Sequence, residues 1–182
     1  AGIPRDLDRD YFGDTPFPST DELLAEAAGM ELALLPMTHF KYSNVGYSLL
    51  GRALERVAGC RYEDYVREHI LDPLGMGRSL FARQRFKEES DAAVPYVVNR
   101  DGAYVGKEYT FGRITADGGL ISSVRDMARY VSMLLAGGRG PEGTLVSQES
   151  LRAMMTPAVP TPPDDMSTDQ PENAYWPSFE DP

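Results

Sequence analysis

Cysteine and histidine are scarce in this 182-residue chain, which has one cysteine and two histidines. The single thiol, Cys60, excludes an internal disulfide bond and any metal cluster built on cysteine. His39 and His69 lie far apart in the sequence, and neither shares a helix face with another ligand at metal-binding spacing. The sequence therefore predicts no metal site and no cofactor.

These three residues are interpreted as structural. His69 lies on the apolar stripe of a predicted helix, which favours a half-buried histidine. Cys60 follows a glycine that ends a predicted helix, and this position favours a buried thiol. His39 is expected to be an ordinary loop residue.

Long hydrophobic runs are missing as well. No stretch of 18 or more apolar residues occurs, so no membrane segment is predicted in this chain. Residues 1–20 lack the basic start and apolar centre of a signal peptide. The compartment stays open between the cytoplasm and export to a periplasm, because a targeting segment would lie upstream of Ala1.

Acidic residues outnumber basic residues: the chain has 28 Asp and Glu, 18 Lys and Arg, and a net charge of -10. Residues 153–182 contain no Lys, Arg or His, and they contain six of the acidic residues. Such a chain repels a phosphate backbone, so nucleic acid is not an expected partner.

The residues that are present, 42% of them hydrophobic, predict one globular domain rich in helices. A capping-box pattern begins a helix within residues 19–29. Apolar stripes predict a second helix over residues 44–59 and a third over residues 62–73. In the third, Glu63 and Arg67 are spaced for an i,i+4 ion pair.

The second half of the chain predicts one ribbon and two helices. Alternating apolar residues from Val94 to Val98, before Asp101-Gly102, indicate a two-stranded hairpin. A second capping-box pattern, Ser123 with Asp126, begins the first helix, and a shorter helix begins at Ser147. The first of these has a predicted core face formed by Met127, Tyr130, Val131, Leu134 and Leu135. Residues 157–182 hold half of the 14 prolines and predict an acidic, extended tail.

An obvious nucleophile is absent. The sequence has no Gly-x-Ser-x-Gly elbow, and its three lysines are preceded at the third position by Thr38, Gln84 and Tyr104, so no Ser-x-x-Lys occurs. The most distinctive segment runs from Phe40 to Gly51, where Tyr42 and Asn44 alternate before a helix and so share a side. A phenol and an amide together could relay a proton and hold a carbonyl, although Ser43 or Asn44 could equally be a helix cap.

This segment resembles the serine β-lactamase and penicillin-binding-protein-like family, in its class C β-lactamase, D-Ala-D-Ala carboxypeptidase and esterase branch. The similarity rests on short motifs spread over most of the chain. They are Gly2-Ile3-Pro4, Tyr42-Ser43-Asn44, Gly46-Tyr47, Leu49-Leu50-Gly51, Glu55, Gly59, Pro73-Leu74-Gly75-Met76, and Gly118-Gly119-Leu120-Ile121-Ser122-Ser123 with Asp126. One departure is local: many members have Pro-Gly before the aromatic residue, whereas here Pro36 is followed by Met37.

The resemblance implies a three-motif active site of which this chain holds the middle motif. Tyr42 would be the general base or proton relay for the serine, and Asn44 would donate an amide hydrogen to the substrate's acyl-side carbonyl. Gly118, Gly119 and Ser122 would line the rim of the pocket. The family's Ser-x-x-Lys would lie before Ala1, and its Lys-Thr-Gly or His-x-Gly would lie after Pro182.

The expected fold is mainly α with a small β-ribbon: residues 1–156 would be the helical lobe of the β-lactamase/DD-peptidase-like α+β fold. Residues 157–182 would lead to the missing sheet portion. The expected function is part of a serine hydrolase that acts through an acyl-enzyme on a small acyl substrate, namely a β-lactam, an ester or a D-amino-acid peptide. The fragment alone would be inactive. Two alternatives stay open, a catalytically dead member whose tyrosines bind a peptide or protein, and a stand-alone helical module.

Overall fold

The computed structural model describes residues 2–4, 19–38, 40–81, 91–94, 96–98, 102, 104–106 and 116–159. Within these ranges the chain is rich in helix, as the sequence predicts, and carries two small antiparallel hairpins, of which the sequence predicts the first. The predictions for His39 and for the acidic segment from Pro160 onward concern residues outside these ranges.

Helix α1, Thr20–Ala28, begins at the predicted capping box. The Glu22 amide donates to Ser19 Oγ at 3.3 Å, and the Ser19 amide donates to the Glu22 carboxylate at 2.7 Å. Two amides that the first helical turn leaves without partners are thereby satisfied.

Helix α2, Asn44–Ala58, is bounded by a serine and a glycine. Ser43 is the cap: its Oγ accepts from the Gly46 amide at 2.8 Å and donates to the Pro4 carbonyl at 2.6 Å. Gly59 ends the helix at φ +71°, in the left-handed region that favours glycine, and its amide donates to the Glu55 carbonyl at 2.9 Å. Asn44 is therefore the first residue of the helix and not its cap.

Helix α3, Tyr62–Val66, continues into a π-helical segment, Arg67–Leu71. The sequence predicted one continuous helix here, and the widened second half was not predicted. The Asp72 amide donates to the Arg67 carbonyl at 2.9 Å, which is the i to i+5 spacing of a π-helix.

The predicted pair of Glu63 with Arg67 is wrong. Arg67 bonds Asp64 at 2.9 Å, while Glu63 accepts from Arg61 at 3.0 Å. Each carboxylate is held by a nearer guanidinium, because Asp64 lies one turn before Arg67 and Glu63 lies beside the start of the helix.

The predictions that His69 is half-buried and Cys60 is buried are also wrong, since both residues are exposed. The π-helical segment changes the angular spacing on which the predicted apolar stripe depended, and His69 turns toward solvent. Its ring stacks on Tyr65 with centroids 4.1 Å apart. Cys60 lies in the short connection between α2 and α3.

The predicted ribbon consists of β1, Tyr96–Val98, and β2, Tyr104–Gly106, in antiparallel register. A second hairpin was not predicted. Its strands are β3, Arg139–Gly140, and β4, Gly143–Thr144, joined by a Pro-Glu turn.

Helices α4, Val124–Leu135, and α5, Gln148–Met155, begin at the two predicted serine caps. Ser123 Oγ accepts from the Asp126 amide at 3.2 Å. The predicted core face of α4 is partly wrong: Tyr130 and Leu134 pack against the core, but Met127, Val131 and Leu135 are exposed. Met133, which was not predicted, is buried. Neighbouring elements cover a different side of the helix, which no periodicity within α4 can reveal.

Two apolar clusters hold these elements together. The smaller one joins α1 to α2 through Leu23 and Val45. The larger one lies between the π-helical segment, the following loop and α4. Its buried members are Val66, Leu71, Leu74, Met76 and Met133.

Candidate functional site

A cavity of about 510 Å³ opens between α2, α3, α4 and the loop 116–120. Its wall is largely aromatic and apolar, and Asp117 is the charged residue among the described lining residues. A volume of this size suits a small molecule. Its lining residues include Tyr42, Asn44, Tyr47, Tyr62, Phe81, Ala116, Asp117, Gly118, Gly119, Met127 and Tyr130.

Four of the five predicted site residues line this one cavity. Tyr42 and Asn44 come from the start of α2, and Gly118 and Gly119 come from the distant loop. Ser122 lies outside the cavity wall. It is exposed, and its Oγ is 2.8 Å from Ser79 Oγ.

The start of α2 explains how Tyr42 and Asn44 reach the same wall. Ser43 stands between them and uses its hydroxyl for the cap and for Pro4. In an extended lead-in, alternate side chains point to the same side. With Ser43 anchored to the N-terminal segment, its two neighbours face the cavity.

Residue 37 shows how the departure from the family motif is accommodated. Met37 adopts φ +64°, in the left-handed region, which bulky residues rarely adopt. This is the position at which the motif has glycine. Met37 thus adopts, at this position, a backbone conformation that glycine adopts without strain.

The loop 116–120 is placed by close contact with α2. A Cβ built on Gly51 would lie 2.5 Å from Ala116 Cβ, too close for any side chain without a shift. After the loop, Leu80 and Ile121 exchange two backbone hydrogen bonds of 2.8 Å. Gly118 and Gly119 are thus held between a helix that must approach closely and a short antiparallel bridge.

Asp126 fixes the same region from the other side. Its carboxylate is 2% exposed and accepts from the Arg78 amide at 2.8 Å and from Ser79 Oγ at 2.9 Å. Its second oxygen accepts from Arg129 at 2.7 Å. A buried carboxylate needs such partners, and here they tie the 78–80 segment to the start of α4.

Tyr62 and Asp117 line the cavity but were not predicted as a pair. The Tyr62 amide donates to Glu55 Oε1 at 3.0 Å, and its ring meets Phe81 edge-on at 5.6 Å. Burial, reinforced by the Asp117 carboxylate, raises the pKa of Tyr62 above its usual value. Glu55 is one of the residues that resemble the family motifs, but no spacing in the sequence predicts that Glu55, Tyr62 and Asp117 lie close together.

The described part of the chain contains no group of three or more His, Cys, Asp and Glu side chains placed to bind a metal ion. Within the same residues, every helix is too short or too polar to cross a membrane. The polar groups that line the cavity include four tyrosine phenols, the Asn44 amide, the Asp117 carboxylate and the backbone of the glycine loop.

The β-lactamase family model matches residues 1–181. The chain belongs to the β-lactamase family. Beta-lactamase-like protein 2 of Dictyostelium discoideum is 31% identical over 160 residues, which are 86% of this chain and 28% of that protein. The family resemblance seen in the sequence is confirmed.

Solved structures share the fold of this chain. The octameric penicillin-binding protein homologue from Pyrococcus abyssi is 37% identical, with a TM-score of 0.74 over 88% of this chain and 37% of that one. D-amino acid amidase from Ochrobactrum anthropi shares the fold at 21% identity and a TM-score of 0.64, over 83% of this chain and 44% of that chain. The family is one of serine hydrolases, and this chain spans about a third of the length of the relatives it matches.

Proposed function

We propose that this chain is the helical lobe of a serine hydrolase that acts through an acyl-enzyme on an ester, an amide or a β-lactam. The observation that supports this most is that Tyr42, Asn44, Gly118 and Gly119 line one cavity. These residues come from two distant motifs that resemble the family pattern, and both motifs contribute to the same wall.

In the proposed reaction, a serine hydroxyl attacks the carbonyl carbon of the substrate and loses its proton to Tyr42. The proton passes to the leaving group as its bond to carbon breaks, and water later hydrolyses the acyl-enzyme. Asn44 donates an N–H to the acyl-side carbonyl, which fixes the substrate. Gly118 and Gly119 allow the substrate close to the loop backbone.

The proposed nucleophile belongs to sequence beyond this chain, since no Ser-x-x-Lys occurs in it. We therefore expect the 182-residue chain to be inactive by itself. Residues 1–156 would be the helical lobe, and residues 157–182 would connect it to the sheet. Exposed apolar residues on α4, among them Val124 and Leu135 at 89% and 85% exposure, fit a lobe that packs against further structure.

Small acyl compounds are the proposed substrates, including β-lactams, esters and D-amino-acid peptides. An aromatic wall with a few polar groups suits such molecules. The names of the relatives point the same way, because one is a penicillin-binding protein homologue and another is an amidase for D-amino acids.

The test uses the protein encoded by the complete reading frame. The protein is treated with a fluorophosphonate or a penicillin, and its intact mass is measured by mass spectrometry. We expect a covalent adduct on the serine of a Ser-x-x-Lys. Tyr42→Phe should slow acylation by about 10²-fold or more, because a general base contributes that much. Tyr47→Phe, which alters a 62% exposed tyrosine of the same cavity, is the matched control.

Three results would contradict the acyl-enzyme proposal. A reading frame without Ser-x-x-Lys, or an adduct that forms equally fast in Tyr42→Phe, contradicts the proposal, as does an adduct on the isolated chain. The first of these results would favour the second candidate, a binding protein. Four tyrosines in one cavity wall, Tyr42, Tyr47, Tyr62 and Tyr130, are the observation in its favour.

A further inference from the structure

A second cavity, of about 380 Å³, lies on a different face of α4. Residues of a helix are rotated by roughly 100° each, so Arg125 and Arg129 share one face while Met127 and Tyr130 point away from it. Met127 and Tyr130 line the candidate site, and the two arginines line the second cavity. Arg139, at the start of β3, is the third arginine of its wall. We call this second cavity the arginine groove.

The arginine groove concentrates positive charge on an acidic chain. Arg129 bonds the Asp126 carboxylate at 2.7 Å with its side chain half exposed. Arg125 and Arg139 are exposed, and neither side chain has a hydrogen bond or an ion pair with the part of the chain that the structure describes. The wall of the groove therefore holds one arginine that is paired with Asp126 and two that have no ion pair with the described residues, although the chain as a whole carries a net charge of -10.

The floor of the groove is apolar. Leu74 and Met133 line it, and both are buried in the larger core cluster. The β3–β4 hairpin closes one side with Gly140 and Pro141. A cationic rim over an apolar floor suits a ligand that has both an acidic group and an apolar body.

We propose that the arginine groove binds a small dianion, a phosphate monoester or a dicarboxylate with an apolar body. Guanidinium groups bind phosphate and carboxylate oxygens through paired N–H donors. Asp126 balances the charge of Arg129, so Arg125 and Arg139 leave two positive charges for the two negative charges of a dianion. The apolar body would lie against Ala128, Ala136 and Pro141, which line the same wall and are exposed. A long polyanion does not fit the observations, because the overall negative charge of the chain repels it.

Phenyl phosphate is the probe, since it joins a dianion to an apolar ring. Isothermal titration into the full chain at low salt should give saturable binding at one site. Arg125→Gln and Arg139→Gln should each weaken the affinity about tenfold, as expected for a lost hydrogen bond to a charged group. Arg56→Gln is the matched control, because Arg56 is an exposed arginine at the end of α2 outside the groove wall. Circular dichroism verifies that every variant is folded.

Three results would overturn the proposal. One is no saturable binding to the wild-type chain. Another is an affinity that Arg56→Gln lowers as much as the groove variants do, which would mean attraction by charge alone. The last is equal affinity for phenol, which would mean that the apolar floor binds without the arginines. None of these results bears on the acyl-enzyme proposal, because its residues line the other cavity.

Discussion

Residue 37 holds a conformation that its side chain opposes. Met37 has φ +64° and is 67% exposed, so little packing compensates the strain of a left-handed methionine. A non-glycine residue there costs about 1 to 2 kcal/mol. The strain is local, because only the turn before α2 depends on this residue.

We therefore expect Met37→Gly to raise the free energy of unfolding by about 1 kcal/mol. Urea titration followed by circular dichroism measures the change. Leu35→Gly is the control: this residue is 74% exposed and has no positive φ, so glycine should lower stability there. Equal effects of both substitutions would show that residue 37 is not strained.

Tyr62 makes the free energy of unfolding of the chain vary with pH in the alkaline range. Burial first, and then Asp117 and Glu63, raise its pKa above the usual phenol value of about 10. Below that value the phenol is neutral in both the folded and the unfolded chain, and its contribution is complete. As pH rises toward the pKa of the folded state, the unfolded chain loses this proton more readily and stability falls.

The loss of stability above pH of about 10 should consequently be less steep in Tyr62→Phe than in the wild type. Asp117→Asn, which removes the second cause, should reduce the slope in part. Urea midpoints across this pH range provide the measurement, and absorbance at alkaline pH follows phenolate formation directly. Identical slopes in all three proteins would contradict the assignment.

At the scale of elements, the contact of α2 with the loop 116–120 sets the shape of the candidate site. Gly51→Ala should improve helix propensity by about 1 kcal/mol but force Ala116 away. Because the new methyl group would lie 2.5 Å from Ala116 Cβ, we expect a net loss of about 1 to 3 kcal/mol.

Calorimetry and amide chemical shifts check this prediction, with the largest shifts expected at residues 116–119. Gly77→Ala is the matched control, since a Cβ there would have no neighbour within 4 Å. A stabilised Gly51→Ala protein with unchanged loop shifts would show that α2 and the loop are not in close contact.

The ends of elements were the most predictable feature of this fold. Four helices begin at a serine whose hydroxyl accepts a hydrogen bond from the amide three residues later: Ser19, Ser43, Ser123 and Ser147. The pattern that predicts such a cap therefore lies within a few adjacent residues. The hairpin at residues 139–144 has a similar local signal, a Gly-Pro-Glu-Gly sequence, that could have revealed it.

Burial was less predictable, because it depends on which neighbours cover an element. Cys60 and His69 are exposed since the connection after α2 is uncovered and the π-helical segment rotates its faces. At the site, the placement of Tyr42 and Asn44 on one side follows from alternation in the extended lead-in to α2. Tyr62 and Asp117 meet only through tertiary packing, which no spacing in the sequence encodes.

At the scale of the whole molecule, the exposed apolar face of α4 should make the isolated chain associate. Val124, Val131 and Leu135 lie on one side of the helix and are 89%, 47% and 85% exposed. Sedimentation velocity should show concentration-dependent dimers or larger species. The double variant Val131→Ser with Leu135→Ser should stay monomeric.

Val94→Ser, at an apolar residue that is 60% exposed outside the helices, is the control and should associate like the wild type. If the wild-type chain is monomeric at high concentration, this face of α4 does not drive association. The lobe would then be stable without a covering partner, which would weaken its assignment as part of a larger domain.

Asp126 gives the molecule a property that neither cavity has alone. One carboxylate oxygen holds Arg78 and Ser79 beside the glycine loop, and the other holds Arg129 in the arginine groove. An anion that draws Arg129 away removes the countercharge of this carboxylate. We therefore expect an anion bound in the proposed arginine groove to change the order of the 78–79 segment, and any such linkage acts equally in both directions.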